Sequence, residues 1–387
     1  MIAGEYPPAI GGVADYSACL VDALRLEGSA VTVVTTWPES ADPDRFILRG
    51  WDPREIERLV HWMRESRPDV IHLQYQTAAY GMSPLINLLP WLIRGRGIRQ
   101  PFFTTFHDLR APFLFPKAGP LRRQANRALA RASAGVIYAN PADLLADGGN
   151  TARAWIPLAP SVRPAVPTTR SRARQSLAIP DNDVVVAFFG FVNASKGLDD
   201  LIRAVGNLAA TGMPIRLLLI GEALGTADPT NQSTAAAIAQ LAKALRIEDR
   251  IVATGRVDPP QVSAAFAAAD VCVLPFRDGA APNRSSLLAA LAHGVPVITT
   301  TPQGPTWIGD MLPPFDHLHT GAISPDTVEL VTPGHVAGLA SAITGLVADA
   351  PRQAQLRAAG LQYVAPLTWS NVARATMHFY RHAKPPP

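Results

Sequence analysis

Apolar positions along the chain fall into two alternating rhythms. Short runs of apolar and β-branched residues read as strands, and between them lie stretches whose apolar positions recur at helical spacing. Ala30–Thr36, Asp69–Tyr75, Pro101–His107 and Gly135–Ala139 read as strands of a first half, with Trp155–Leu158 closing the set. Val13–Leu26, Asp52–Glu65, Pro84–Arg94 and Gly119–Ala132 read as the helices that separate them. The rhythm then restarts. Val184–Val192, Ile215–Gly221, Arg250–Ala253, Val271–Pro275 and Pro296–Thr300 are the second set of strands, separated by helices such as Leu198–Ala210 and Ser233–Leu245. This alternation predicts βαβ units on mostly parallel sheets, an α/β chain of two halves. Only Met1–Ala3 precede the Gly4-Glu5 loop, so the first strand reads as clipped and the start as late.

Four prolines between Pro157 and Pro167 fix φ, remove donors and favour an extended connector. The boundary is therefore placed there: residues 1–160 form one α/β domain, 161–367 a second, and 368–387 a terminal helix, Trp369–His382, with its tail. Composition agrees with a soluble enzyme. The 387 residues are 48% apolar and 17% charged, which excludes disordered, collagen-like and coiled-coil classes. The longest apolar stretch, Met82–Ile93, is interrupted by Ser83, Pro84, Asn87 and Pro90 and is too short to span a bilayer. The start has neither a basic nor an apolar leader region, and Cys19 and Cys272 lie far apart, so a reduced, cytoplasmic setting is expected.

Open α/β sheets bind ligands beyond the carboxyl ends of their strands, so the loops there hold the candidate chemistry. Gly11 and Gly12 open a helix in a way that suits close approach of a phosphate, or simply a tight turn. His107 and Asp108 end a strand; such a histidine orients or deprotonates a hydroxyl, or serves as a structural hydrogen-bonding group. His72 and Gln74 share one strand face. In the second half, Gly190, Asn193, Ser195, Lys196 and Gly197 join a strand to a helix, where a lysine and free helix-start amides suit a diphosphate. Asp278, Asn283, Arg284, Ser285 and Ser286 precede another helix and form a second anion-ready start. Asp42/Asp44 and Asp181/Asp183 read as surface loops, and the pairs His317/His319 and His378/His382 have no carboxylate cluster beside them; no metal is expected.

Taken in order, Glu5-Tyr-Pro-Pro-x-x-Gly-Gly-Val13, the His-Asp at 107–108, Gly190-x-x-x-x-x-Lys196-Gly197 and His293-Gly-Val-Pro-Val-Ile-Thr-Thr300 resemble the retaining glycosyltransferases of GT-B type, family 4 (group 1). The resemblance covers nearly the whole chain, including Thr368-Trp369 ahead of a helix that in this family returns to the first domain. It implies two Rossmann-like domains facing a cleft, the second binding a nucleotide diphosphate-sugar and the first an acceptor. By it, Lys196 holds the diphosphate, Gly11 and Gly12 meet the reacting phosphate, and His107 lies near the transferred sugar. Gly255 and Val257 fall where backbone groups meet the base. Catalytic roles are thus expected of His107, Lys196 and Arg284, and an acceptor side of Glu5, Tyr16, His72, Gln74 and Asp108. Sugar transfer with retention, without metal or cofactor, onto a glycan, lipid-linked or small-molecule acceptor is the implied activity.

Two departures accompany the resemblance. The family's pair of glutamates falls here on Ala281 and Ala289, and a basic position after Gly190 is Phe191, which marks a divergent branch. Asp278, Asn283, Arg284 and Ser285 are the candidate substitutes. A non-catalytic nucleotide-sugar binder, or a phosphorylase or epimerase on the same fold, is the alternative. The net charge of +4 also hides a concentration: Arg94, Arg96, Arg99, Arg110, Lys117, Arg122, Arg123, Arg127 and Arg131 stand against Asp108 alone between residues 82 and 135. Arg123, Arg127 and Arg131 share a helix face, which suits an anionic acceptor or the inner face of an anionic membrane, or is simply a solvated face. Without an aromatic platform or nucleic-acid motif, no nucleic-acid partner is expected.

Overall fold

The computed structural model describes residues 1–109, 119–147, 149, 151–165, 168–191, 193–221, 229–308, 318 and 320–383. Arg110, Lys117, His317 and His319 therefore lie outside the described residues. The chain divides into two compact units, with breaks at Leu158/Ala159 and Thr368/Trp369 and with Ile308 and Leu318 counted in the first unit. The segment beginning at Trp369 belongs to the first unit.

The first unit is built on seven parallel strands: β1 (Ile2–Ala3), β2 (Val33–Thr35), β3 (Arg45–Ile47), β4 (Ile71–Tyr75), β5 (Phe102–Phe106), β6 (Gly135–Tyr138) and β7 (Ala152–Trp155). Their order is β3-β2-β1-β4-β5-β6-β7, so the direction of winding reverses between β1 and β4. Helices α1 (Gly12–Leu26), α2 (Pro53–Ser66), α3 (Leu85–Gly95), α4 (Gly119–Ala132) and α5 (Pro141–Ala146) make the crossovers. The pattern of caps explains several of these starts. Asp52 accepts hydrogen bonds from the amides of Arg54 and Glu55, with Pro53 at the first helical position, and Asn140 does the same for Ala142 ahead of α5.

The second unit carries β8 (Val184–Phe189), β9 (Ile215–Ile220), β10 (Ile251–Ala253), β11 (Val271–Leu274), β12 (Val297–Thr300) and β13 (Glu329–Val331). They run parallel in the order β10-β9-β8-β11-β12-β13, reversing between β8 and β11. Around them are α6 (Arg170–Ser176), α7 (Leu198–Ala210), α8 (Pro229–Ala244), α9 (Pro259–Ala268), α10 (Ser285–Ala292), α11 (Val336–Ala348) and α12 (Ala350–Val364). The terminal helix α13 (Trp369–His382) packs on α1 of the first unit, burying Val372, Ala373, Thr376 and Phe379.

Each predicted strand has a counterpart, but the outer ones shift. The closing strand of the first unit is Ala152–Trp155, not Trp155–Leu158, because Ala152 pairs with Gly135 and Trp155 with Tyr138. The pairing partner sets that register, and an Ala-Arg-Ala segment carries no apolar run to betray it. Edge strands β3 and β13 have no counterpart among the predictions; both are three residues long and only partly buried. Among the described residues, no helix is long and apolar enough to cross a membrane, and no group of three His, Cys, Asp or Glu could hold a metal.

Candidate functional site

In the second unit, the winding reversal places the loop after β8 beside the loop after β11. Asn193 folds the first loop: its Oδ1 accepts from the Ser195 amide at 3.1 Å and the Ser195 hydroxyl at 2.8 Å. The second loop is tied on by the Arg277 amide, which donates to the Ser195 carbonyl at 2.9 Å. Gly197 is obligatory at the hinge, since its φ is +66° and a Cβ would lie 2.1 Å from the Pro275 carbonyl oxygen.

Two cations converge on one ring. Lys196 Nζ lies 5.0 Å and Arg284 Cζ 4.7 Å from the centre of Phe276. Arg284 also pairs with Asp278 at 2.5 Å. Burial, reinforced by the Arg284 charge and opposed by Asp278, lowers the Lys196 pKa to about 8. Beside them the start of α10 is open. No side chain caps it, Arg284 Nε and Ser286 Oγ are buried without partners, and Asn283 and Ser285 make no side-chain hydrogen bond with described residues. Gly190 brings bare backbone to the same place, its Cβ position 3.7 Å from Ser286 Cβ. The start of α7 is different: Asp199 and Asp200 occupy its first turn and Arg277 pairs with both. Anion-binding capacity therefore concentrates at α10.

Gly255 lies just beyond β10, bridged to Gly221, with nothing within 4 Å of its Cβ position, and Val257 stands two residues on. They lie two strands from the Lys196 loop along the sheet. Ala281 sits in the turn before α10, whereas Ala289 is fully buried, so the second of the two glutamate places is here a core position. His293 is structural: Nδ1 meets the Ala289 carbonyl at 2.7 Å and Nε2 the Ser263 hydroxyl at 2.9 Å. Phe276 and Arg277 head the same strand-end loop but are not among the site residues expected from the sequence. The end of the apolar β11 run would have pointed to Phe276; nothing local points to the ion pairs of Arg277.

In the first unit, His107 follows β5 and is held in a continuous polar chain. Its Nε2 donates to Gln74 Oε1 at 2.9 Å, because an amide oxygen only accepts. Gln74 Nε2 lies 3.3 Å from His72 Nδ1, His72 Nε2 meets Thr105 Oγ1 at 2.8 Å, and Tyr380 of α13 meets His72 Nδ1 at 2.6 Å. Burial lowers both imidazoles to about 3, so they are neutral. His107 Nδ1 is left as an acceptor. Tyr16 packs its ring 4.6 Å from His107 and 5.3 Å from Trp369.

Glu5 lies over the glycine loop. A Cβ on Gly11 would sit 2.7 Å from Glu5 Oε2, while the Cβ position of Gly12 is open. Burial raises the Glu5 pKa. Asp108 is exposed at the loop beyond His107. Of the acidic pairs, Asp42 is taken up by Tyr6 and Arg25 and Asp183 by Arg216.

Comparison with known proteins adds the family. Residues 183–349 match the family described as glycosyl transferases group 1, and residues 11–146 match a glycosyl transferase 4-like domain. A D-inositol 3-phosphate glycosyltransferase of Stackebrandtia nassauensis is 29% identical over 234 residues, which are 58% of this chain and 48% of that protein. The chain thus spans about half the length of the first curated relatives it matches. Glycogen synthase of Mycobacterium tuberculosis is 26% identical over 99% of this chain and 94% of its own. The structure of Anabaena HepE in complex with UDP and glucose superposes with a TM-score of 0.73 at 18% identity, covering 98% of each chain, and shows the GT-B fold.

Proposed function

The chain belongs to the group 1 glycosyltransferases, and from that premise we propose that it moves a sugar from a nucleotide diphosphate-sugar to an acceptor hydroxyl with retention of configuration. One observation carries the donor half: the unpartnered, buried Arg284 Nε and Ser286 Oγ beside Lys196 at an uncapped helix start. A buried polar group left unmade costs about 1–3 kcal/mol, which a bound phosphate would offset.

The second unit takes the donor. Lys196, Arg284 and the first amides of α10 hold the diphosphate and stabilise its charge as the bond from the sugar's anomeric carbon to the phosphate oxygen breaks. The acceptor hydroxyl forms the new bond on the same face, and its proton passes to the released phosphate oxygen. Two side-chain cations supply the charge neutralisation, so neither metal nor cofactor is used and EDTA leaves turnover unchanged. The first unit takes the acceptor, with neutral His107 Nδ1 accepting a hydrogen bond from a sugar hydroxyl. The setting is cytoplasmic.

A panel of UDP-, GDP-, ADP- and dTDP-sugars, scored by thermal shift and then by mass-spectrometric turnover, tests the reading. Stabilisation by at least one donor with transfer or slow hydrolysis is expected; no stabilisation by any donor overturns it. The alanines at 281 and 289 favour a second reading, a binder without catalysis, which stabilisation with neither transfer nor hydrolysis would select.

A further inference from the structure

Helix α4 presents Arg123, Arg127 and Arg131 on one exposed face, four residues apart. None of the three makes an ion pair or hydrogen bond with described residues, whereas Arg96, Arg58 and Arg25 of the same unit all find carboxylates. Like charges at this spacing repel, so the row is set against its own helix.

The row borders two adjoining cavities. One, of about 230 Å³, has Phe106 and Tyr138 as its aromatic floor, Arg123, Asn126 and Arg127 along α4, and Asp143 along α5. The second, of about 160 Å³, shares Arg127, Ala130 and Asp147 with the first and extends past Arg131. Asn126 is held by its neighbours through its oxygen. Asn87 Nδ2 donates to the Tyr75 hydroxyl at 2.9 Å, which donates to Asn126 Oδ1 at 3.0 Å, leaving the Asn126 amide hydrogens for the cavity. Asp147 is already engaged, one carboxylate oxygen accepting from Tyr138 and the other from the Gly149 amide. The groove therefore has cations along one wall, a carboxylate and an amide donor opposite and below, and an aromatic floor. It begins at Phe106 and Leu109, on either side of His107 in the chain.

We propose that this groove binds a phosphate ester of a polyol or sugar, with the phosphate on Arg123 and Arg127 and hydroxyls on Asp143 and the Asn126 amide. That the ligand is the acceptor rests on the transferase reading above; the phosphate site itself does not. Arginine suits the role because its planar fork matches two phosphate oxygens at once. The same phosphate chemistry is offered by a soluble sugar phosphate and by a lipid headgroup.

The test compares the unaltered protein, the double variant Arg123→Ser/Arg127→Ser, and Lys196→Ala. Each is titrated with glucose 6-phosphate, glucose and UDP, and floated with vesicles of phosphatidylcholine alone or mixed with phosphatidylglycerol. Glucose 6-phosphate should bind the unaltered protein and Lys196→Ala alike and bind the double variant about tenfold or more weakly, with glucose not binding. Flotation with the anionic vesicles that is lost in the double variant, without glucose 6-phosphate binding, assigns the phosphate to a lipid headgroup and also supports the site. Indifference of both ligands to the double substitution, or loss of sugar phosphate binding in Lys196→Ala alone, overturns it. UDP binding retained by the double variant shows an intact second unit. Absence of UDP binding in the unaltered protein would count against the donor reading and leave the groove standing.

Discussion

In the first unit, polar side chains of β4, α13 and the end of β5 bond to one another: Tyr380, His72, Gln74 and His107 form a chain of neutral groups with one acceptor left over at His107. In the second unit, the loops after β8 and β11 hold cations, and Arg284 Nε and Ser286 Oγ have no hydrogen-bond partner among the described residues. The two sheets share one winding pattern, so the fold does not account for the contrast. A self-satisfied neutral network fixes one hydrogen-bond direction and suits a hydroxyl; an unsatisfied cationic start suits a ligand that brings several anionic oxygens. The same scaffold thus carries two kinds of polar surroundings, set by which side chains stand on and after the strands.

Three measurements would break or sharpen this contrast. The largest effect is expected from Lys196→Ala, which should lower turnover by roughly 10²–10³ while leaving the melting temperature near that of the unaltered protein. Near-normal turnover would remove Lys196 from the diphosphate. Next, Gln74→Leu takes away the acceptor that fixes the proton on His107 Nε2, and turnover should fall about tenfold with UDP affinity unchanged. An equal loss of UDP affinity would show that the two strand-end systems are not separate.

The smallest effect is in pH. Lys196 is lowered to about 8, so its charge is complete at pH 7 and lost as pH rises through that value, whereas a bound diphosphate holds the proton on. UDP affinity should therefore fall about fourfold between pH 7 and 8.5, and Lys196→Arg should flatten the fall. His72 and His107, lowered to about 3, stay neutral across this range, so these two add no step. The same slope in Lys196→Arg would contradict the assignment.

Much of the fold was legible because burial imposes period. The predicted helices Leu198–Ala210, Gly119–Ala132 and Trp369–His382 coincide with α7, α4 and α13, each amphipathic over several turns. Strands β3 and β13 were not, since three half-buried residues carry too little pattern. At the candidate site, Lys196 and Arg284 could be picked from their loops by charge and position. Phe276 between them could not be assigned its role, because what matters is that two loops separated by about eighty residues meet on one ring.

The sequence by itself determined the two α/β halves, the loops that follow the strand tips, and the row of arginines on α4, because periodicity and chemical type are local properties. Tertiary structure alone decided which polar groups are satisfied and which are left open. Asn193 is spent on folding its own loop, and Asp42 and Asp183 on ion pairs. Ser286 and Arg284 Nε stay unpartnered, and α13 returns to supply Tyr380 to a histidine 308 residues away. Hydrogen-bond satisfaction depends on distance and burial between segments remote in sequence, and only the folded chain sets those.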